Sequence, residues 1–170
     1  MANFADALKY VMQHEGGWSD HIYDRGGPTN YGITLKTAQK YGIASTAALR
    51  AMTHGQAAMI LRDGYWRFDG VCDQRAAAKV FDMAVNMGPG AAIKYLQQAL
   101  NDSGANVKVD GVYGPRTEAA LNSVEDTGEL LEALCAASIR HYKQIVVRDP
   151  NQGVFLGGWL KRAARTPGEL

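Results

Sequence analysis

The chain has 170 residues, of which 46% are apolar and 21% charged, with a formal net charge of +1. That length supports one domain with a sizeable core, or one domain with a small integrated subdomain, and the composition excludes a disordered chain and a membrane span. The near-neutral charge and the lack of a basic recognition helix argue against a nucleic-acid binder.

In chain order, the first helix is expected over residues 2–15. Asn3 is a suitable N-cap with Asp6 three positions on, and Phe4, Leu8, Val11, Met12 and Glu15 share one face. Gly16 and Gly17 end it. Residues 18–34 read as a loop or short hairpin, with Gly26-Gly27-Pro28 as the turn signal. Helical periodicity returns over residues 34–41 and 53–68, and "RAAAKVFDMAVNM" is a strong helix stopped by Gly88-Pro89-Gly90. "AAIKYLQQALN" is another helix, "VKVDGVYGP" is a loop, and "PRTEAALNSV" starts a helix with Pro115 in its first turn. A long helix is expected over residues 128–147, with an apolar stripe at Leu131, Leu134, Cys135, Ile139, Tyr142, Ile145 and Val146. Asp149-Pro150 breaks it, and a last short helix carries Trp159. No long strand, tandem repeat or low-complexity linker is evident. The expected class is mainly α with a small β element near the first helix.

The two cysteines, Cys72 and Cys135, form no CxxC, and no His pair has metal spacing, so both are expected as free thiols. His14-Glu15 begins like a zincin motif but lacks the second histidine. The N-terminal stretch has no basic n-region and no unbroken apolar run, so the expectation is a protein that is cytoplasmic as synthesised. Residues 140–170 hold six Lys or Arg against two Asp or Glu. This reads as a solvated basic tail or as an attraction to an anionic surface.

The most informative position is Glu15. A carboxylate at a helix C-terminus meets the negative end of the macrodipole, and this one shares a face with Val11 and Met12. Both effects raise its pKa, which suits a general acid that must hold its proton near neutral pH. Two glycines leave its approach open. The alternative is an ordinary ion pair with a cation such as Arg25, or a carboxylate that simply reaches solvent. Asp24 follows nine positions later, then Thr29, Asn30 and Tyr31. Two carboxyls flanking a cleft are what glycoside hydrolysis requires: one protonates the leaving oxygen, and the other stabilises the cationic transition state, attacks it or orients water. The plain reading of "DRGGPTNYG" is an Asx-type turn around Asp24. A phosphate loop fits poorly, because Ile33 stands where a Walker A loop needs lysine.

"EGGWSDHIYDRGGPTNYGIT" resembles the N-terminal signature of glycoside hydrolase family 108, a family of lysozyme-like N-acetylmuramidases. The resemblance continues through "GYWRFDG", "VFDMAVNMGPGAAIKYLQQALN", "VDGVYGPRTEAAL" and "FLGGWLKR", and so spans nearly the whole chain. It implies a lysozyme-like helical domain, with residues 1–90 as the catalytic region. Residues 91–170 would be a helical peptidoglycan-binding-like region integrated in the same domain.

In that family the Glu of Glu-Gly-Gly is taken as the catalytic acid, which maps to Glu15. The spacing to Asp24 also resembles phage-type lysozymes. Thr29 comes one position earlier than the threonine of that pattern, which leaves Asn30 and Tyr31 as alternatives for its role. "LQQALN" with "VDGVYGPRTEAAL" is similar to small wall-binding modules. There Tyr113 would either stack on a sugar or help shape an inter-helix loop. Asn86 would either bond an N-acetyl group or cap its own helix. Trp66 and Trp159 are read as core. The resemblance implies a monomeric muramidase acting on peptidoglycan without metal or organic cofactor. It would serve as a phage or prophage endolysin that reaches the wall in the periplasm, or in the release of a toxin or other cargo. The competing reading is a non-catalytic wall-binding or secretion-helper protein on the same fold.

Overall fold

The computed structural model describes residues 1–13, 17–21 and 26–168. Glu15 and Asp24 lie outside the described residues.

The first helix, α1 (Phe4–Met12), begins as expected. The Asn3 side chain accepts from the Ala5 and Asp6 amides at 2.8 and 3.3 Å. The small sheet pairs β1 (Thr29–Asn30) with β2 (Ile33–Thr34) in antiparallel register, Thr29 opposite Thr34 and Asn30 opposite Ile33. Its turn is not the Gly-Gly-Pro sequence but Tyr31-Gly32, both at positive φ (52° and 73°). Two left-handed residues give the turn whose twist matches a tight hairpin. A tyrosine in that conformation costs roughly 1 kcal/mol, which is why the sequence did not advertise it. Gly26-Gly27-Pro28 instead leads the chain into β1.

Helices α2 (Leu35–Gln39) and α3 (Thr46–Arg50) follow, capped by the Thr34 and Ser45 hydroxyls. α3 was not expected. α4 (His54–Tyr65) starts on a capping box, in which Thr53 and Gln56 satisfy each other's amides. It ends before the predicted limit, because Trp66 turns extended and drives into the core.

α5 (Gln74–Met87) is the central element, capped by Asp73, with ten of its fourteen residues buried. Phe4, Trp66 and Phe81 meet there at ring separations of 5.4 to 5.8 Å. Gly88, at φ 86°, joins α5 to α6 (Pro89–Asp102). α7 (Pro115–Asn122) and the long α8 (Thr127–Arg148) come next. A 3₁₀ turn at Pro150–Gln152 then leads into α9 (Gly153–Ala163). The break at Asp149-Pro150 is as expected. One apolar cluster runs from Ala2 to Leu134 and draws on both halves of the chain. The architecture is mainly α and lysozyme-like, and among the described residues the small two-stranded sheet near the N-terminus is the only one. Among the described residues no helix is long and apolar enough to cross a membrane. Cys72 is exposed, Cys135 is buried, and both are free thiols.

Two features hold the C-terminal part against the rest. Lys79 of α5 is fully buried, and its Nζ donates to the carbonyls of Ala163 (3.0 Å) and Arg165 (2.7 Å). It thereby supplies a cation and two donors to the carbonyls at the end of α9, where the helix ladder leaves them unpaired. The Arg165 carbonyl also accepts from the Tyr10 hydroxyl and the Cys135 thiol. Burial, reinforced by Asp82, raises the Tyr10 pKa far above its ordinary value and keeps that phenol a donor. The second feature is the packing of "GYWRFDG" on "VDGVYGPRTEAAL". Asn122 bridges the Gly70 carbonyl and the Cys72 amide, and a Cβ at Gly70 would lie 2.5 Å from the Glu118 carboxylate.

Candidate active site

A cleft of about 480 Å³ opens between the hairpin and the C-terminal helices. One wall is the hairpin region, with Ser19, Thr29, Gly32 and Thr34. The floor is the end of α5, with Val85, Asn86 and Met87. The opposite wall comes from α8 (His141, Tyr142, Ile145) and α9 (Phe155, Trp159, Arg162).

The hairpin wall is set by backbone pairing. Ser19 and Thr29 exchange amide–carbonyl bonds at 2.8 and 2.9 Å, which lays the strand before the cleft against β1. Asn30 is buried. Its Nδ2 donates to the Leu49 and Arg50 carbonyls at 2.9 and 3.2 Å, satisfying the end of α3. A substrate-binding role for Asn30 is therefore replaced by a structural one. Tyr31, at the turn, sets its ring edge-on to His54 at 6.0 Å, and among the described residues it does not line the cleft. Thr29 does line it.

The helical wall is aromatic. Phe155 and Trp159, one helical turn apart on α9, lie nearly parallel with centroids 5.5 Å apart, and Trp159 stacks in turn on Tyr142 at 5.2 Å. His21 meets Phe155 edge-on at 5.0 Å. Trp66 is core as expected, only 2% exposed. Trp159 is half-buried and faces the cleft, which corrects its reading as a core residue. His141 hydrogen-bonds the Tyr95 hydroxyl at 3.1 Å. Burial, with a smaller contribution from Arg148, lowers its pKa below the ordinary histidine value.

Asn86 sits on the floor, but both its donors are used, on the Asp82 carbonyl (2.7 Å) and the Asp82 carboxylate (3.2 Å). Its Oδ1 accepts from Arg162 Nη1. Of its two expected roles, the structure shows the local one: Asn86 closes its own helix turn and holds Arg162 across the cleft.

Tyr113 lies elsewhere. Its ring packs edge-on against Phe68 at 5.0 Å and its hydroxyl donates to Glu118 at 3.3 Å. Burial, reinforced by Glu118, raises its pKa well above the ordinary phenol value. The buried Gln97 organises this loop, donating to Asp110, Val112 and Thr117 and accepting from the Gly111 amide. Tyr113 therefore shapes the α6–α7 loop rather than presenting a stacking face.

The sequence reading thus brings Thr29 and Asn86 to one cleft and misses Tyr142, Phe155, Trp159 and Arg162. The available signal was the i, i+4, i+7 spacing of Phe155, Trp159 and Arg162 within "FLGGWLKR". Among the described residues no cluster of His, Cys, Asp and Glu could hold a metal ion.

Comparison with known proteins gives the class to which this helical fold and its cleft belong. Residues 8–88 match the family Glycosyl hydrolase 108, and residues 91–164 match the Predicted Peptidoglycan domain. A solved structure titled "Structure of Brucella abortus SagA" is 31% identical, with a TM-score of 0.74. The match covers 94% of this chain and 92% of that one. Among curated proteins, none matches the chain. The chain belongs to glycosyl hydrolase family 108: it is a glycosidase with a peptidoglycan-binding region, and peptidoglycan is its partner.

Proposed function

We propose that the protein is an N-acetylmuramidase that hydrolyses the bond between N-acetylmuramic acid and N-acetylglucosamine in the peptidoglycan backbone. The observation that carries this reading is the cleft itself. It has the volume of a small-ligand site, an aromatic wall suited to the apolar faces of pyranose rings, and a hairpin wall bordered by Ser19 and Gly26. In sequence, Glu15 precedes Ser19 by four positions and Asp24 precedes Gly26 by two. A hollow of similar size, about 520 Å³, has Glu125, Asp126 and Glu129 in its lining. Carboxylates there would repel the carboxylates of the wall polymer.

In this reading Glu15 gives its proton to the leaving glycosidic oxygen. Asp24 stabilises the oxocarbenium-like state or handles water, and Thr29 shapes the site. Phe155 and Trp159 hold sugar rings, backed by the buried Tyr142, and the Asn86–Arg162 bond keeps the arginine over the floor. No metal or organic cofactor takes part. The biological setting that we favour is phage or prophage lysis, in which the protein, made in the cytoplasm, acts on the wall in the periplasm once the inner membrane is opened.

Mass spectrometry of purified peptidoglycan after incubation with the protein tests this reading. New reducing-end N-acetylmuramic acid is the expected product. An anhydro end would indicate a lytic transglycosylase, cut peptides an amidase or peptidase, and no product a wall-binding protein without activity.

A further inference from the structure

The cleft does not end at α9. On the outer flank of that helix lies a second hollow of about 470 Å³, which shares Phe155, Trp159 and Arg162 with the first and adds Lys161 and Arg165. The three shared side chains form the joint between the two spaces. The linings differ in charge: among the described residues three cations border the outer hollow and no carboxylate does. Lys161 and Arg165 are both exposed, and neither is paired with a carboxylate among the described residues. Lys161 and Arg165, exposed beside aromatic rings and next to a cleft for a polymer, fit a ligand that is part sugar and part carboxylate.

We infer that this flank of α9 is a subsite for the peptide attached to the glycan strand, with Lys161 and Arg165 reading its carboxylates while the rings of Phe155 and Trp159 hold the sugar that bears it. The inference rests on the peptidoglycan-hydrolase reading and deepens it, because it makes peptide-substituted strands the preferred substrate over bare glycan. Peptides and bare strands both present carboxylates, the former on amino acids and the latter on the lactyl group of the sugar. The reach from the cleft to the outer flank favours the peptide, since a lactyl group stays within a few bonds of the ring that the cleft holds.

The test is a binding titration that needs no turnover. Soluble tetrasaccharides carrying their peptides, and the same oligosaccharides stripped by an amidase, are titrated by calorimetry into Glu15→Gln protein with and without Lys161→Gln and Arg165→Gln. Both substitutions lie on the surface, and thermal melting checks that the fold is kept. Removing two exposed charge contacts should weaken binding of the peptide-bearing sugar about tenfold at low salt. The loss should shrink at high salt, and the stripped sugar should be affected less than about twofold. A loss confined to the stripped sugar, where the amidase has freed the lactyl carboxylate, would mean that the lactyl group is read instead; that result, an equal loss on both ligands, or no loss on either would overturn the inference. If wild-type protein releases no reducing ends from peptidoglycan, the muramidase reading fails, while the titration still decides the subsite.

Discussion

On the hairpin side of the cleft, Ser19 and Thr29 are held by backbone hydrogen bonds and a turn that forces Tyr31 to φ 52°. On the α8–α9 side the surface is made of stacked rings, and the helix carrying them is fastened by a buried ammonium group. The first wall offers small polar groups and exposed backbone. The second offers large, rigid faces. The difference divides the labour of a polymer-cleaving site. A wall of short side chains leaves room for carboxyl chemistry at the bond, whereas a wall of rings can bind strongly without taking part in it. Chemistry and affinity should therefore be separable by substitution, one wall at a time.

The largest effect belongs to the proposed acid. Glu15→Gln should lower the rate of wall hydrolysis by about 100- to 10,000-fold, the usual contribution of a general acid, while retention on insoluble wall stays unchanged. Turbidity clearing of permeabilised cells measures it, and a wild-type rate would remove Glu15 from the mechanism. Asp24→Asn should be impaired almost as severely and Thr29→Ala less. Full activity in Asp24→Asn would leave a mechanism with a single carboxyl.

On the helical side the next largest effect concerns the fastening. Lys79→Met strands the Ala163 carbonyl and takes the shortest of three donors from the Arg165 carbonyl, and should cost about 2–3 kcal/mol in urea unfolding. Unchanged stability would mean that α9 is held by its apolar contacts alone. Trp159→Ala should weaken binding of soluble glycan about tenfold, because both of its ring stacks are lost with the indole, and should leave kcat at saturating substrate nearly intact. A fall in kcat with unchanged KM would break the division between the two walls.

The smallest effect is a pH dependence at His141. Burial, then the Arg148 charge, lowers its pKa in the fold, so the unfolded chain takes up that proton at higher pH than the folded one does. Its contribution to stability is complete above the ordinary value of 6.5 and is lost as pH falls through the lowered folded value. Urea unfolding of wild type and His141→Gln across this range should show a steeper loss of stability in wild type. Parallel curves would assign the acid sensitivity to other groups.

The helices were legible wherever an apolar stripe persisted for several turns, as in α5 and α8. α3 was missed because five residues hold too little periodicity to register. The hairpin turn was misassigned because a left-handed tyrosine carries no composition signal, whereas Gly-Gly-Pro does. In the cleft, Thr29 and Asn86 could be named from motifs, but their partners could not. The acceptors of Lys79 lie 84 and 86 positions away, and within a helix a lone lysine reads as a solvent-facing residue. Trp159 illustrates the same limit from the other side: spacing gives the face of a helix, not whether that face meets core or cleft. Tyr113 and Asn30 stand in sequence beside motifs that suggest sugar contact, and their hydrogen bonds show packing roles instead.

The Lys79 contact also has a meaning in time. While the chain is being made, α5 emerges well before the carbonyls that satisfy its lysine. At ribosomal speeds of about 5–20 residues per second, that interval is on the order of ten seconds. Until α9 arrives, an ammonium group sits on the helix that must become the centre of the core, and burying it without partners is unfavourable. The central helix is therefore expected to settle only when α9 is available to dock, which ties completion of the core to completion of the aromatic wall. A newborn molecule would gain its grip on the polymer and its final stability in the same step.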